Sequence, residues 1–430
     1  MLPQAFLARM QAQLGPDYPA YLASLDRPRA VALRLNPAKV PPSALPFLLE
    51  PVPWEPTGYY YDPDARPGLH PYHEAGVYYL QEASAMAPVA LLDPQPGEWV
   101  CDLCAAPGGK STQIAGRMGG RGLLLCNEFH PQRAKILSRN IERLGIANAL
   151  VTNETPAALA LRFPGQFDRV LVDAPCSGEG MFRKEEAAVT DWSQETVAMC
   201  ARRQTEILAH AAEMVRPGGR LVYSTCTFAP EENERVVEHF LQHHPDFEPD
   251  PVDAPWFSCS GPGMYRLWPH KLLGEGHFAA VLRRRTGSPD AHLKAAPGSE
   301  LPALWTEFAS ALGISLPEGK ALRFGSSLFW VPRELPQLSG LKVLRPGLEL
   351  GSLKPNRLEP AHALALWLPG CGCELQLPAL GPEMRAYLHG DVLPCRARGW
   401  CLVKADDYPI GWGKADGSVL KNHYPKGLRR

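Results

Sequence analysis

Short apolar runs alternate with amphipathic segments along residues 91–285, and this alternation constrains the fold more than any other feature of the sequence. The runs lie at 99–103, 122–126, 149–152, 169–172 and 220–225. The segments between them, such as PQRAKILSRNIERLG, have the apolar spacing of helices that pack on a sheet. The pattern predicts an α/β fold with a doubly wound parallel sheet. The apolar run HFAAVLRRR at 277–285 is predicted to be an edge strand that closes this sheet.

The rest of the chain divides into three further regions. With 430 residues, the chain is too long for one ordinary core. Residues 1–90 mix helical patterning with Pro-rich loops and form an N-terminal extension, residues 286–299 have linker composition, and residues 300–430 are rich in Pro, Gly and short β-like runs. We therefore expect a sheet domain at 91–285 between an N-terminal extension and a C-terminal, mostly-β region.

Composition excludes several classes of protein. No stretch approaches the roughly 20 apolar residues that a membrane helix needs, and the N-terminus lacks the pattern of a signal peptide, so we predict a cytoplasmic protein without membrane contact. The eleven cysteines are scattered and are predicted to be reduced thiols. Because 44 basic residues balance 45 acidic ones, any nucleic-acid surface must be a local patch.

The string DLCAAPGGKST at 102–112 follows the first predicted strand and ends like a phosphate-binding loop. A triphosphate loop needs a glycine five residues before Gly109, and that position is Cys104. A P-loop nucleotide hydrolase, with DRVLVDAP as the Mg²⁺-binding strand, is therefore kept only as an alternative. The loop lies where open α/β sheets bind ligands, and Glu128, after the second strand, can accept hydrogen bonds from both hydroxyls of a ribose. Together these features predict a nucleoside cofactor.

Two cysteines and an aspartate follow later strands of the same sheet. Asp173 and Cys176 come after the fourth strand, in VDAPCSGEG, and Cys226 comes after the fifth, in LVYSTCTF, so all three are expected at the edge that carries the glycine-rich loop. A thiolate can add to the electron-poor C6 of a pyrimidine, which activates C5 toward a methyl group. Asp173 could then bind the N3/N4 edge and offset the charge on the ring, and Cys176 is placed to help release the product.

A metal site is not predicted. Cys101 and Cys104 lie three positions apart along a strand, where side chains face opposite sides, and the pair Cys371 and Cys373 has no matching partner.

The motifs YYLQEASAM, DLCAAPGGKST, NE, VDAPCSGEGMFRK and YSTCTFAPEENE occur in the order and spacing of a known family. The chain resembles the RNA 5-methylcytosine methyltransferases of the Nop2/Sun type, which use S-adenosylmethionine. The C-terminal YPIGWGKADGSVLKNHYPKGLRR resembles the PUA-like domain of the bacterial RsmF branch, which modifies small-subunit ribosomal RNA. The resemblance implies a Rossmann-like class I methyltransferase sheet, an N-terminal α/β RNA-binding extension and a C-terminal PUA-like domain.

The resemblance also implies roles for individual residues. Cys226 resembles the nucleophile, Cys176 the cysteine that releases product, Asp173 the carboxylate that contacts cytosine, and Lys110 the lysine beside it. The residues expected around the cofactor are Cys104, Ala105, Ala106, Pro107, Gly108, Gly109, Lys110, Glu128, Arg133 and Asp173. Many relatives place an Asp beside the adenine after the third strand, but this chain has TNET there, so Asn153 or Thr155 must serve instead.

The expected partner is ribosomal RNA or the small ribosomal subunit. Arg34 and Asn36, in LRLN, resemble part of the N-terminal RNA-binding extension, and the C-terminal tail offers a basic, stacking surface at Lys421, His423, Tyr424, Lys426 and Arg429. The chain is predicted to methylate C5 of cytosine in 16S ribosomal RNA as a monomer. Two alternatives remain, a transfer RNA substrate and a catalytically silent RNA-binding scaffold.

Overall fold

The structure is a computed structural model that describes residues 2–39, 45, 47–287 and 293–430. Residues 288–292 of the predicted linker lie outside the described residues, as do residues 1, 40–44 and 46 of the predicted N-terminal extension. The described strands form four sheets, one in the N-terminal region, one in the centre and two in the C-terminal region.

The N-terminal region combines helices with a small antiparallel sheet. Its helices are α1 (Gln4–Leu14), α2 (Tyr18–Leu25) and α3 (Pro71–Glu74). Its strands are β1 (Ala32–Leu35), β2 (Leu48–Pro51), β3 (Gly58–Tyr61) and β4 (Tyr78–Leu80), in the spatial order β2-β3-β1-β4. All four residues of β1 are buried, because this strand lies inside the small sheet and packs toward the central domain.

The central sheet is built on parallel strands in the order of a doubly wound fold. These strands are β5 (Trp99–Asp102), β6 (Leu123–Asn127), β7 (Ala149–Thr152), β8 (Phe167–Asp173) and β9 (Val215–Thr225). They lie side by side as β9-β8-β5-β6-β7, and every neighbouring pair is parallel. The chain order reverses between β5 and β8, and ligands bind at such a switch point, beyond the carboxyl ends of the strands.

Helices cover both faces of this sheet. They are α4 (Ala87–Leu92), α5 (Gly109–Met118), α6 (Pro131–Arg143), α7 (Pro156–Arg162), α9 (Gln194–Met214) and α10 (Glu234–His243), whereas the short helix α8 (Glu186–Thr190) buries no residue. Helix α6 buries Ala134, Leu137 and Ile141, whose spacing places them on one face. Helices α4, α5 and α6 pack into one hydrophobic cluster, and α7, α9 and α10 pack into another.

The prediction of an edge strand at 277–285 is wrong. Four further strands follow the parallel ones, namely β10 (Phe247–Pro249), β11 (Ser258–Gly261), β12 (Met264–Leu267) and β13 (His277–Arg284). Strand β13 runs antiparallel to β9, and β12 pairs with its other side. It therefore lies inside the sheet, which explains why its first six residues are all buried.

The C-terminal region begins with helix α11 (Ala303–Leu312) and a four-stranded sheet. The sheet contains β14 (Lys320–Phe324), β15 (Ser327–Val331), β17 (Leu348–Lys354) and β18 (Arg357–Pro360), and helix α12 (His362–Trp367) follows it. Strand β16 (Val343–Arg345), which lies between β15 and β17 in the chain, pairs with β7 and so extends the central sheet. The C-terminal region thus contributes a strand to the central sheet, which the sequence pattern did not indicate.

The last part of the chain is a five-stranded sheet with helix α13 (Pro382–His389). Its strands are β19 (Glu374–Leu377), β20 (Leu393–Pro394), β21 (Arg398–Ala405), β22 (Tyr408–Asp416) and β23 (Val419–Asn422). This region shares a hydrophobic cluster with β1 and β4, so the two ends of the chain pack against each other.

Candidate active site

The glycine-rich loop connects β5 to α5 at the switch point of the sheet. Gly108 has a φ of 116°, and a Cβ at this position would lie 3.3 Å from the side chain of Leu137, so glycine is required there. The loop is fixed from α6, because Arg133 donates to the carbonyl of Ala106 at 2.9 Å and Asn140 donates to that of Pro107 at 2.8 Å. Burial raises the pKa of the Cys104 thiol, which therefore stays protonated.

Asp102, at the end of β5, is fully buried beside this loop and was not assigned a role from the sequence. One carboxylate oxygen, Oδ2, accepts a hydrogen bond from Ser111 at 2.6 Å, whereas Oδ1 has no hydrogen-bond partner among the described residues. Burial raises the pKa of Asp102 to about 7. A buried carboxylate oxygen without a partner is a site that an ammonium group of a bound molecule can fill.

Glu128 follows β6 at the same edge and is 5% exposed. Its Oε1 accepts a hydrogen bond from the amide of His130 at 2.8 Å, and its Oε2 lies 3.5 Å from Arg133. The carboxylate is thus held in one orientation and keeps lone pairs for further donors. These features fit a carboxylate that binds a pair of ribose hydroxyls.

Asn153 and Thr155, the two candidates for the adenine contact, have other partners in the structure. The amide of Asn153 donates to the carbonyls of Glu128 and Phe129, both at 2.7 Å, and the Thr155 hydroxyl caps α7 by accepting from the amide of Ala158 at 3.1 Å. Their assignment to adenine stays a prediction. The residue between them, Glu154, accepts a hydrogen bond from the amide of Lys342 in the C-terminal region.

Lys110 and Asp173 form an ion pair at the switch point, with 2.7 Å between Nζ and Oδ2. Ser224 donates to the other oxygen of Asp173 at 2.8 Å, and Nε2 of the buried His277 lies 3.4 Å from it. Burial opposes the charge on Asp173, but Lys110 and His277 outweigh it and hold the pKa of Asp173 well below its usual range. Burial also opposes the charge on Lys110, yet Asp173 raises the pKa of Lys110. Both groups are therefore charged at neutral pH.

The thiols of Cys176 and Cys226 lie beside this ion pair, with 3.3 Å between the two sulfur atoms. The amide of Gly180, in the loop that carries Cys176, donates to the carbonyl of Cys226 at 2.7 Å and joins the two loops. Contact with Cys226, burial and the charge of Glu232 raise the pKa of Cys176 well above its usual range. Cys176 therefore keeps its proton at neutral pH, as a group that gives and takes protons requires.

The structure thus brings together all four residues that the sequence assigns to catalysis. The structure also shows buried polar residues around these four that were not assigned to the site from the sequence. They are Asp102, Ser224, Glu232 and His277. Three of them lie in motifs quoted from the sequence, Asp102 in DLCAAPGGKST and both Ser224 and Glu232 in YSTCTFAPEENE. The role of His277 became visible only when β13 was placed beside β9.

The assignment of Arg34 and Asn36 to RNA contacts is wrong. Arg34 is 2% exposed, and its guanidinium donates to Gln81 at 3.1 Å and to Thr112 at 2.6 Å. Asn36 is 7% exposed and donates to the carbonyls of Gly76 and Leu144, both at 2.9 Å. Both side chains join the N-terminal sheet to the central domain from the interior, where RNA cannot reach them.

The C-terminal RNA contacts need a partial correction. Tyr424 is 2% exposed and packs its ring 5.5 Å from that of Tyr387, so it cannot stack on a base, and Arg429 donates to the carbonyl of Tyr424 at 3.2 and 3.3 Å. Lys421, His423 and Lys426 are exposed.

A different aromatic residue lies at this surface. Trp400, on β21, is half-buried, and its ring lies 4.5 Å from that of His423 and 5.5 Å from Nζ of Lys414. Lys414 is paired with Trp400 across the sheet and with Lys421 on its other side. We refer to Trp400, Lys414, Lys421 and His423 as the Trp400 patch. It combines positive charge with a partly exposed aromatic residue, as surfaces that bind single-stranded nucleic acid do.

The described part of the chain offers neither a metal-binding cluster nor a membrane-spanning helix. No group of three or more His, Cys, Asp or Glu side chains there could hold a metal ion. Among the same residues, no helix combines the length and the apolar character that crossing a membrane requires.

Four family models match the chain. They are the 16S rRNA methyltransferase RsmB/F over residues 89–283, the N-terminal domain of 16S rRNA methyltransferase RsmF over 2–83, the RsmF rRNA methyltransferase first C-terminal domain over 307–368, and the methyltransferase RsmF PUA domain over 376–430. The matches extend over the N-terminal, central and C-terminal regions.

Individual proteins agree with the family models. The chain is 35% identical to the ribosomal RNA small subunit methyltransferase F of Klebsiella pneumoniae, with 100% of this chain and 96% of that protein aligned. It is 34% identical to the protein of the same name from Aeromonas hydrophila, over 100% of this chain and 98% of that one. Among solved structures, a methyltransferase homolog protein from Pyrococcus horikoshii matches 66% of this chain and 100% of its own, with 27% identity and a TM-score of 0.55.

Proposed function

The chain belongs to the RsmF family of 16S rRNA methyltransferases, and on this premise we propose that it transfers a methyl group from S-adenosylmethionine to C5 of a cytosine in that RNA. The observation that carries the proposal is the pair of thiols 3.3 Å apart beside the Lys110–Asp173 ion pair. A base methyltransferase that acts on nitrogen or on an exocyclic group has no need for a cysteine nucleophile, whereas C5 must be activated by addition at C6.

The residues at the carboxyl edge of the sheet fit the cofactor. The unpartnered Oδ1 of Asp102 would accept a hydrogen bond from the methionine ammonium, Glu128 would accept from the ribose hydroxyls, and the backbone of residues 104–109 would surround the methionine moiety. Bound there, S-adenosylmethionine supplies an electrophilic methyl group.

Cys226 begins the chemistry on the base. Its thiolate forms a bond to C6, and the electron pair of the C5–C6 double bond moves into the ring and makes C5 nucleophilic. After C5 has gained the methyl group, its proton must leave and the S–C6 bond must break, with the bonding pair returning to sulfur. Cys176 gives its own proton to the departing Cys226 sulfur, 3.3 Å away, and takes up the C5 proton. The high pKa of Cys176 suits this exchange.

Lys110 and Asp173 have different roles at the target base. The Asp173 carboxylate is ionised, so it accepts a hydrogen bond from the N4 amino group of cytosine but cannot offset negative charge on the ring. The ammonium of Lys110, 2.7 Å from that carboxylate, is the group that does so. This changes the role expected of Asp173 from the sequence, where it was given both tasks.

The proposal is tested by incubating the full-length protein with 16S rRNA and isotopically labelled S-adenosylmethionine. We expect the label in 5-methylcytidine when the digested RNA is separated by liquid chromatography and identified by mass spectrometry. Label in any other nucleoside would contradict the C5 assignment. Transfer RNA, the alternative substrate, is incubated in a parallel reaction and should remain unlabelled.

We propose that the Trp400 patch binds single-stranded RNA. Trp400→Ala should weaken the binding of 16S rRNA fragments by about 5- to 150-fold, because stacking on one base is worth about 1–3 kcal/mol. Fluorescence anisotropy at fixed salt measures the change. Trp256→Ala is the matched control, since Trp256 is a 47% exposed tryptophan outside the C-terminal region. Equal affinities of the two variants would show that the patch does not bind RNA.

The competing hypotheses lose their support. Lys110 contacts Asp173 instead of standing free for a phosphate, and the family assignment excludes a P-loop nucleotide hydrolase. A silent RNA-binding scaffold would not need a buried ion pair beside two adjacent thiols. The monomeric state and the cytoplasmic location stay predictions from the sequence.

A further inference from the structure

Glu232 lies at the base of the two loops that carry the thiols, with 0% of its surface exposed. Its Oε2 accepts hydrogen bonds from the amide of Ser177 at 2.9 Å and from the side chain of Gln204 at 2.8 Å, and its Oε1 accepts one from the hydroxyl of Ser177. The carboxylate is therefore held by donors on both oxygens. A charged group that is buried to this degree requires such donors.

These contacts connect the two cysteines. Ser177 directly follows Cys176, and its hydroxyl also lies 2.9 Å from that of Thr227, which directly follows Cys226. The side chain of Gln204 also contacts the loop that carries Cys176, because it donates to the carbonyl of Pro175 at 2.9 Å. The carboxylate thus holds Ser177 directly, and through the Ser177 hydroxyl it is linked to Thr227, the residue after the second thiol.

The Glu232 carboxylate also acts on Cys176 through its charge. The Glu232 carboxylate raises the pKa of Cys176, after the larger effects of Cys226 and of burial. The negative charge of Glu232 thus acts on Cys176. If Glu232 only connected the two loops, its charge would not be needed, because an uncharged glutamine side chain of the same shape is less costly to bury.

We propose that Glu232 is a positioning residue for the methyl transfer, which holds the Cys176 loop against Cys226 and places a negative charge beside Cys176. The inference rests on the proposed cysteine chemistry, but it concerns the position and the protonation of Cys176. It therefore has a test that needs neither RNA nor cofactor.

The test replaces the charge and keeps the shape. In full-length protein with Cys226→Ala, the alkylation of Cys176 by iodoacetamide is followed against pH by peptide mass spectrometry, with and without Glu232→Gln. Only the thiolate reacts, so loss of the negative charge should shift the alkylation curve of Cys176 to lower pH. Glu231→Gln is the matched control, because Glu231 is the neighbouring acid, is half-buried and pairs with Arg235 at 3.1 Å. Coincident curves for the two variants would overturn the electrostatic role.

Ser177→Ala tests the positioning role separately. This variant removes the hydroxyl between Glu232 and Thr227 but leaves the carboxylate in place. We expect kcat for methylation to fall by about 10- to 100-fold, since small displacements of reacting groups have effects of this size, while KM for RNA and the alkylation curve of Cys176 stay unchanged.

The thermal unfolding midpoint of each variant shows whether it is folded. If Glu232→Gln does not fold, Ser177→Ala still tests the positioning role of Glu232, because wild-type kcat in that variant would overturn the inference. A wild-type protein that makes no 5-methylcytidine would instead contradict the proposed function, and it would leave the alkylation result intact.

Discussion

Replacing Cys176 with alanine should leave the protein covalently bound to its RNA. Without the Cys176 thiol, 3.3 Å from that of Cys226, the proton exchange that accompanies release is lost, and the bond from Cys226 to C6 persists after methyl transfer. Turnover should fall by about 10²- to 10⁴-fold, the usual contribution of an acid–base group. A denaturing gel with labelled RNA should show a slowly migrating protein–RNA species that requires S-adenosylmethionine.

Two further cysteine variants make this experiment specific. Cys226→Ala should give neither the adduct nor any methylated RNA, because the nucleophile is absent. Cys259→Ala should behave as wild type, since Cys259 is an exposed cysteine on β11. An adduct that forms with Cys226→Ala, or normal turnover with Cys176→Ala, would show that the two thiols have other roles than those assigned.

Asp173→Asn should reduce kcat/KM for RNA by about 10²- to 10³-fold, the usual cost of losing one well-placed polar group at a reaction centre. The amide keeps the shape of the side chain but removes the charge that pairs with Lys110 at 2.7 Å and that accepts from the cytosine amino group. Initial rates of methylation over a range of RNA concentrations measure the effect.

A matched control is Asp246→Asn, because Asp246 is a 47% exposed carboxylate whose side chain pairs with Arg284 at 2.9 Å on the surface. It should lose little activity, as exposed ion pairs contribute little to stability. If Asp173→Asn retains wild-type kcat/KM while it remains folded, Asp173 does not contact the target base.

The sequence predicted where the chemistry lies because strand and loop follow each other in the chain. Asp173 and Cys226 come directly after strands that run parallel, so their meeting at one edge could be inferred without coordinates. The position of β13 could not be inferred in the same way. A run of apolar residues indicates a buried strand, but it does not say which strands lie beside it or in which direction it runs.

The burial of charged and aromatic side chains was the feature that the sequence predicted least well. The resemblance of LRLN to an RNA-binding extension predicts that Arg34 contacts RNA, and the basic tail predicts the same of Tyr424, yet both are buried by partners that are distant in sequence. Arg34 donates to Thr112, and the ring of Tyr424 packs on Tyr387. Trp400 had no local signal at all, since its neighbours Lys414 and His423 meet it only across the sheet.

The most direct test of the central claim is the identity of the bond between protein and RNA. The adduct from Cys176→Ala is digested with protease and nuclease, and the linked peptide is sequenced by mass spectrometry. We predict a peptide that carries one methylated cytosine nucleotide on Cys226. A nucleotide attached to any other residue, or an RNA that is fully methylated without any covalent species, would contradict the mechanism.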